Sequence, residues 1–415
     1  MHQLTTRILI ALVLGAVTGL ALNQWAPDLF QSLNQYVFDP AGNLFLRLIM
    51  MLVVPLVFLS IVVGVSDLGS PKQLGRMGLK TVAFFLGTTV IALTLALTVA
   101  TIVQPGDPGL LGEGLAENYE AAEAPPFIET LVNIIPNNPI EAMSSGAMLQ
   151  IIAFAIFVGL AMAVLGEKVT TVKSFFKQGN DIMMTLVTFV MKFAPIGAFA
   201  LIASALGQAG WSAVFSLGAY MLTVVGVLLI HVFGVYSLLI YFFGKMNPLT
   251  FYKGFFPAMT MAFSLSSSNA TLPLSMKIAQ ENLGVSKQVS GFVQPLGATI
   301  NMDGTGIMQA VATVFIAQVY VADLSLMDMV VIVLTATLAS IGTAGVPGVG
   351  MIMLAMVLTQ VGLSPAGIAL VIGVDRLLDM LRTSVNITGD AALAVIVDRS
   401  EKRRGALPSH DSGDV

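Results

Sequence analysis

The sequence predicts an all-α protein that crosses a membrane many times, and three observations carry that reading. Hydrophobic residues make up 56% of the 415, charged residues only 10%, and mean hydropathy is +0.89, far from the composition of a water-soluble domain. Apolar runs at 8–22, 44–65, 82–103, 148–165 and 214–243 approach or exceed the roughly 20 residues that a helix needs to cross a hydrocarbon core. None alternates apolar and polar residues as barrel strands do, so helices must satisfy the backbone.

Charge position orients these spans. With a cytoplasmic N-terminus, successive crossings put Arg7, Lys72, Arg76, Lys80, Lys168, Lys173, Lys177, Lys245, Lys253, Lys277, Lys287, Arg399, Lys402, Arg403 and Arg404 inside. The opposite loops hold Asp28, Asp39, Asp107, Glu113, Glu117, Glu120, Glu123, Glu129, Asp323 and Asp328 and no Lys or Arg, which is the positive-inside bias. The run at 8–22 follows Arg7 but lacks a small-residue cleavage site before Trp25, so it reads as a retained first span. The chain has no cysteine, which excludes disulfides and thiolate metal sites. Its three histidines, His2, His231 and His410, are too far apart in sequence to suggest a metal cluster.

The chain changes character near Met246-Asn247-Pro248. Before it lie ordinary apolar spans and a Pro-, Gly- and Glu-rich loop at 104–130. After it, apolar runs are interrupted: 255–263 by Ser264-Leu265-Ser266-Ser267-Ser268-Asn269-Ala270-Thr271-Leu272-Pro273, and 330–341 by Gly342-Thr343-Ala344-Gly345-Val346-Pro347-Gly348. Each arm reads as too short to span, which predicts two re-entrant hairpins. Irregular backbone at that depth is tolerated only where it packs in protein or lines a wet cavity. A long helix follows each hairpin, at 289–320 and 365–397, and the hairpins start from opposite sides. That is an inverted repeat, and paired interrupted segments point to a transporter's binding site.

The last helix carries the most chemistry. At about 100° per residue, Asp375, Arg376, Asp379, Arg382, Thr383, Asn386 and Asp390 share one face. A charge at the bilayer centre costs at least about 2.5 kcal/mol, so this stripe needs partners. An i,i+3 ion pair between Asp379 and Arg382 would supply one, but it leaves Asn386 and Asp390 unexplained. An amino acid supplies more: Asp379 for its ammonium, Asn386 for its α-carboxylate and Arg382, whose planar fork matches a carboxylate, for a second carboxylate. In the preceding helix Asn301-Met302-Asp303-Gly304-Thr305, with Gly297 upstream, predicts a break whose carbonyls and side chains form an all-oxygen site for a small hard cation. A kink with internal hydrogen bonds is the bland alternative. Ser266, Ser267 and Ser268 at the first hairpin tip could serve close packing or contact substrate.

These motifs, in this order, resemble the glutamate transporter family, the sodium- or proton-coupled dicarboxylate amino acid symporters, over nearly the whole chain from Ile8 to Arg399. The specific pieces are Ser-Ser-Ser with Thr-Leu-Pro, Asn-Met-Asp-Gly-Thr, Gly-Thr-Ala-Gly-Val-Pro-Gly, and Asp-x-x-Arg-Thr-x-x-Asn-x-x-Gly-Asp from Asp379 to Asp390. An archaeal member is itself a standard example of inverted repeats. The resemblance implies eight transmembrane helices plus two re-entrant helical hairpins, working as an elevator in a homotrimer. It implies scaffold spans one and two at 1–78, a third span of the transport domain at 79–104, an extracellular loop at 105–130 and scaffold spans four and five at 131–210. It further implies a sixth span at 211–248, hairpins at 249–284 and 323–363, a seventh span at 285–322, an eighth at 364–400 and a disordered cytoplasmic tail at 401–415. The place is the cell's inner (plasma) membrane, multi-pass, with both termini cytoplasmic.

Carried over by motif, substrate contacts are expected from Ser267, Ser268, Thr305, Val346, Gly350, Asp379, Arg382, Thr383 and Asn386. Sodium ions, the co-transported species, are expected at Thr88, Thr89, Gly297, Asn301, Asp303, Ser340, Thr343, Asn386 and Asp390. The chain departs from the family at Phe85, where Tyr is frequent, and at Ser266 and Met380, one of which is usually Arg; Arg376 lies one turn away as a substitute. Met50 also stands where Lys is common.

The partners implied are L-aspartate or L-glutamate, sodium ions, membrane lipids and further copies of the chain, with no nucleic acid and no enzyme activity. Arg382 argues against a neutral amino acid carrier, since a buried guanidinium without a carboxylate is costly. Asp379 argues against a plain C4-dicarboxylate carrier, because it would face a carboxylate. Proton coupling is the alternative to sodium, and a passive channel is a further rival. An intramembrane protease built on Asp303, Asp379 or Ser267 is the competing class, but no His lies near them and cleavage leaves the inverted hairpins unexplained.

Overall fold

Helix boundaries follow local signals in the chain. A computed structural model describes residues 2–67, 71–108, 132, 134–341 and 348–403, and among them the regular structure is helical with no strand. The chain runs through α1 (His2–Trp25), α2 (Pro27–Leu33), α3 (Asp39–Asp67), α4 (Pro71–Val103), α5 (Pro139–Ser145), α6 (Met148–Leu165), α7 (Thr170–Lys192) and α8 (Ala194–Ala209). It continues through α9 (Trp211–Ile230), α10 (Pro248–Leu265), α11 (Ser268–Glu281), α12 (Lys287–Ile300), α13 (Asp303–Val319), α14 (Leu326–Ser340), α15 (Val349–Gln360) and α16 (Ile368–Lys402). The tip residues Thr343 and Val346, most of the loop expected at 105–130 and the tail past 403 lie outside the described residues.

Among the described residues, four helical stretches are long and apolar enough to cross a membrane: Pro27–Ser66, Met77–Val103, Gln150–Val190 and Val214–Gly244. The last includes two π-helical turns, His231–Tyr236 and Ile240–Gly244, that extend α9 without interrupting it. Lys245, in the left-handed region at φ 50°, ends that rod, and the Asn247 side chain then caps α10 by accepting from the Leu249 N–H at 2.9 Å.

The first hairpin is α10 followed by α11. Its turn is made by Ser266 at φ 49° and by Ser267, whose hydroxyl accepts from the Ala270 N–H at 3.3 Å and caps α11. At 18 residues, α10 is longer than the apolar run read from sequence, because Asn247 and Pro248 start it earlier. It carries Lys253 and Pro257 and is not among the four stretches long and apolar enough to cross a membrane. The second hairpin, α14 and α15, has arms of 15 and 12 residues. Ser325 and Asp328 form a capping box at the start of α14.

Two helices run through the middle. α13 is buried on every side from Asp303 to Ala317, and α16 is buried along most of its 35 residues. Around α16 pack α8, α9, α10, α11, α12, α13 and α15, while α4 lies along α13. Residues 131–210, read above as two spans, carry the short α5 and then α6, α7 and α8, with α7 and α8 divided at Phe193 just before Pro195.

Small residues set the closest helix approach. Gly15 and Gly19, one turn apart on α1, lie against the backbone of Phe199 and Ala203 on α8, and a Cβ at Gly19 would come within 2.6 Å of the Ala203 carbonyl oxygen. Gly19→Val should therefore push α1 off α8 and cost about 1–3 kcal/mol. A thermal unfolding scan in detergent checks this, and an unchanged midpoint would contradict the contact.

Candidate functional site

The charged stripe of α16 faces protein. Arg382 is only 1% exposed. Its Nη2 lies 2.9 Å from Asp379 Oδ1 in a hydrogen bond and 2.8 Å from Asp375 Oδ1 as an ion pair lacking hydrogen-bond direction. Arg376 Nη1 donates to Asp379 Oδ2 at 3.4 Å, so the Arg one turn away does stand beside Asp379. The i,i+3 ion pair weighed as a structural reading is thus present, yet it does not exhaust the guanidinium. Arg382 Nε and Nη1 are buried and, among the described residues, have no hydrogen-bond partner. Leaving a buried donor empty costs about 1–3 kcal/mol, more for a charged group.

Gly350 on α15 brings its backbone against that empty side, where a Cβ would sit 3.3 Å from Nη1. The space beside Asp375, Arg376 and Asp379, closed by Phe45, Ile49, Ala194, Ala198, Gly348 and Met351, is about 30 Å³. That holds a water and not an amino acid. Thr383 turns its hydroxyl to the Asp379 carbonyl at 2.8 Å.

The break between α12 and α13 falls at Asn301–Met302, inside the Asn-Met-Asp-Gly-Thr motif. Asn386 reaches across from α16 to fill it. Its Oδ1 accepts from the Gly304 N–H at 2.8 Å, an orphan donor of the first turn of α13, and its Nδ2 donates to Thr305 Oγ1 at 3.4 Å and contacts Met302 Sδ at 3.3 Å. In this structure the Asn386 amide serves the broken helix. Ser340 donates to the Thr337 carbonyl at 2.7 Å. Beside it, Met302, Thr305, Gly306, Gln309, Ala336 and Ala339 enclose a void of about 10 Å³.

Two buried carboxylates, Asp303 and Asp390, have no Arg or Lys partner among the described residues. Asp390 accepts from Asn301 Nδ2 at 3.0 Å, and Gly297 lies so close that a Cβ there would overlap the carboxylate. Asn301 Oδ1 is buried and unpartnered, an acceptor suited to a cation. Asp303, fully buried, accepts from Thr89 Oγ1 at 2.6 Å, Tyr236 OH at 2.7 Å and His231 Nε2 at 3.2 Å. Thr88 donates to the Phe85 carbonyl at 3.0 Å, and the same oxygen, 2.9 Å from Thr89 Oγ1, is the alternative acceptor for the single Thr89 hydroxyl hydrogen. At the first hairpin tip Ser268 is buried at the start of α11, which packs on α16, and Ser266 Oγ is buried without a partner.

The expectation that no His lies near Asp303 is overturned, since His231 reaches it from the π-helical turn that follows α9. Sequence reasoning also missed Tyr236 and gave Asp375 no role. The signals were weak: one His inside an otherwise apolar run, a Tyr five residues on, and an Asp on the charged stripe.

Helices long enough to cross a bilayer, enclosing carboxylates, guanidiniums and a broken helix, define a membrane-embedded transporter. A profile of the sodium:dicarboxylate symporter family matches residues 4–400. Across 96% of this chain and 94% of the relative, the sequence is 36% identical to the proton/sodium-glutamate symport protein of Bacillus caldotenax. It is 36% identical to excitatory amino acid transporter 1 of Ambystoma tigrinum over 94% of this chain and 81% of that protein. It is 34% identical to the C4-dicarboxylate transport protein of Bacillus subtilis (strain 168) over 96% and 94%. The chain belongs to the sodium:dicarboxylate symporter family, the glutamate transporter family that its motifs resemble, whose members are multi-pass membrane transporters and not enzymes.

Since Gly297 has no room for a side chain, Gly297→Ala should part α12 from α16 and cost about 1–3 kcal/mol. The midpoint of thermal unfolding reads this directly; a midpoint equal to the parent's would show that the Asp390 contact is looser than drawn.

Proposed function

We propose that this chain is a secondary active symporter that couples inward sodium flow to the uptake of L-aspartate or L-glutamate. The observation that carries this reading is the buried guanidinium of Arg382 with Nε and Nη1 unpartnered. Carboxylate oxygens are the charge-matched acceptors for such open guanidinium donors, which a neutral side chain is not. Asp379 on the same face offers an acceptor to the ammonium of an amino acid, which favours an acidic amino acid over a plain dicarboxylate. The similar proteins named above include a glutamate symporter, an excitatory amino acid transporter and a C4-dicarboxylate transporter, and the Arg–Asp pair favours an acidic amino acid among those substrates.

On this reading Ser267, Ser268, Thr305, Val346, Gly350, Asp379, Arg382, Thr383 and Asn386 surround the substrate. Thr88, Thr89, Gly297, Asn301, Asp303, Ser340, Thr343, Asn386 and Asp390 serve the sodium ions. Because the space beside Asp379 is small, loading requires the second hairpin to move away from α16. α4, α9 and α10 to α16 travel together as the transport domain, and α1 to α3 with α6 to α8 form a scaffold that assembles as a homotrimer, with both termini cytoplasmic.

Radiolabelled aspartate uptake into liposomes tests the coupling: an imposed sodium gradient should drive accumulation, and a proton gradient alone should not. Uptake driven by protons alone would end the sodium claim. Arg382→Cys should weaken acidic substrates on the order of 100-fold, the value of two charge-assisted hydrogen bonds, and admit neutral ones. Unchanged aspartate affinity in that variant removes Arg382 from its role. Asp390→Ala should raise the sodium concentration needed for half-maximal uptake, and an unaltered sodium titration would contradict its assignment.

A further inference from the structure

The π-helical turn that follows α9 has a consequence for the cation site. A π turn inserts an extra residue, so that side chains five positions apart come side by side, and such turns concentrate at functional sites. His231 and Tyr236 are five apart, and their rings meet edge to face with centroids 4.5 Å apart. Both reach Asp303 Oδ2, Tyr236 OH at 2.7 Å and His231 Nε2 at 3.2 Å, leaving Oδ1 to Thr89. A carboxylate only accepts, so the ring hydrogen of His231 is on Nε2. Tyr236 OH also sits against Gly389, where a Cβ would overlap both that hydroxyl and Asn301 Nδ2. Asn301 Nδ2 in turn holds Asp390, so the hydroxyl stands where the surroundings of the two carboxylates meet.

We infer that Tyr236 and His231 are positioning residues for the cation: they fix Asp303 by Oδ2 so that Oδ1, beside Thr89, is the oxygen presented to the ion. This rests on the reading of Asp303 as a cation ligand. The division of labour follows from donor chemistry. A threonine hydroxyl can rotate its hydrogen away and offer a lone pair to an arriving ion, while a phenol and an imidazole N–H held by ring packing keep donating. Neither ring needs to touch the ion. Donors that hold a ligand without touching the ion typically change metal affinity 10–100-fold when removed.

The test uses the purified full-length chain in detergent, without substrate, and follows thermal unfolding as sodium is titrated against choline at constant ionic strength. Tyr236→Phe should shift the sodium midpoint upward on the order of 10-fold. His231→Ala should shift it in the same direction, and His231→Gln, which retains an N–H, should shift it less. A role confined to packing lowers the unfolding temperature equally at every sodium concentration and leaves the midpoint in place; that result for Tyr236→Phe and His231→Ala overturns the inference, provided Asp303→Asn moves the midpoint. If Asp303→Asn leaves the midpoint unmoved as well, the cation reading of Asp303 itself fails. Should Tyr236→Phe not fold, the contrast between His231→Ala and His231→Gln decides the matter alone.

Discussion

Everything in the core answers to one buried cation, the guanidinium of Arg382. Taken out of water at membrane depth, such a charge survives only with opposite charge and acceptors close by. The chain supplies Asp375 and Asp379 from the same helix, one and two turns away, with Arg376 returning one positive charge. Two carboxylates therefore balance two guanidiniums, and the cluster is formally neutral while Arg382 keeps two donors open. A site already neutral in charge but short of acceptors is matched to a ligand that brings carboxylate oxygens.

The neighbouring carboxylates present the opposite problem. Asp303 and Asp390 meet only side-chain amides, hydroxyls and one imidazole, so their negative charge has no guanidinium or ammonium within bonding distance. On the proposed reading, sodium ions supply the positive charge that region lacks. Asn386 and Asn301 stand between the two regions: Asn386 holds the first turn of α13, and Asn301 donates to Asp390 and to the Asn386 carbonyl. Occupants on either side thus act on the same broken helix, which gives a physical route for one to favour the other.

Much of this is legible in the sequence. The break at Asn301–Met302 follows from a polar motif interrupting an apolar helix, and the charged face of α16 follows from helical periodicity. The Ser-rich interruption marks the turn of the first hairpin because a left-handed Ser266 and a capping Ser267 are local chemistry. What stayed hidden depends on contacts distant in sequence or on helix type. Tyr236 and His231 meet Asp303 across 67 and 72 residues and need a π turn that no side-chain pattern announces. Asp375 was visible on the stripe, but only the path of the Arg382 side chain shows that it is a counter-ion.

A structure of the chain determined with aspartate and sodium tests the central claim most directly. The account predicts a substrate carboxylate accepting from Arg382 at one or other of its open nitrogens, Nε or Nη1, with the second hairpin drawn over it. Ligand density elsewhere, with those two nitrogens still unpartnered, would contradict it.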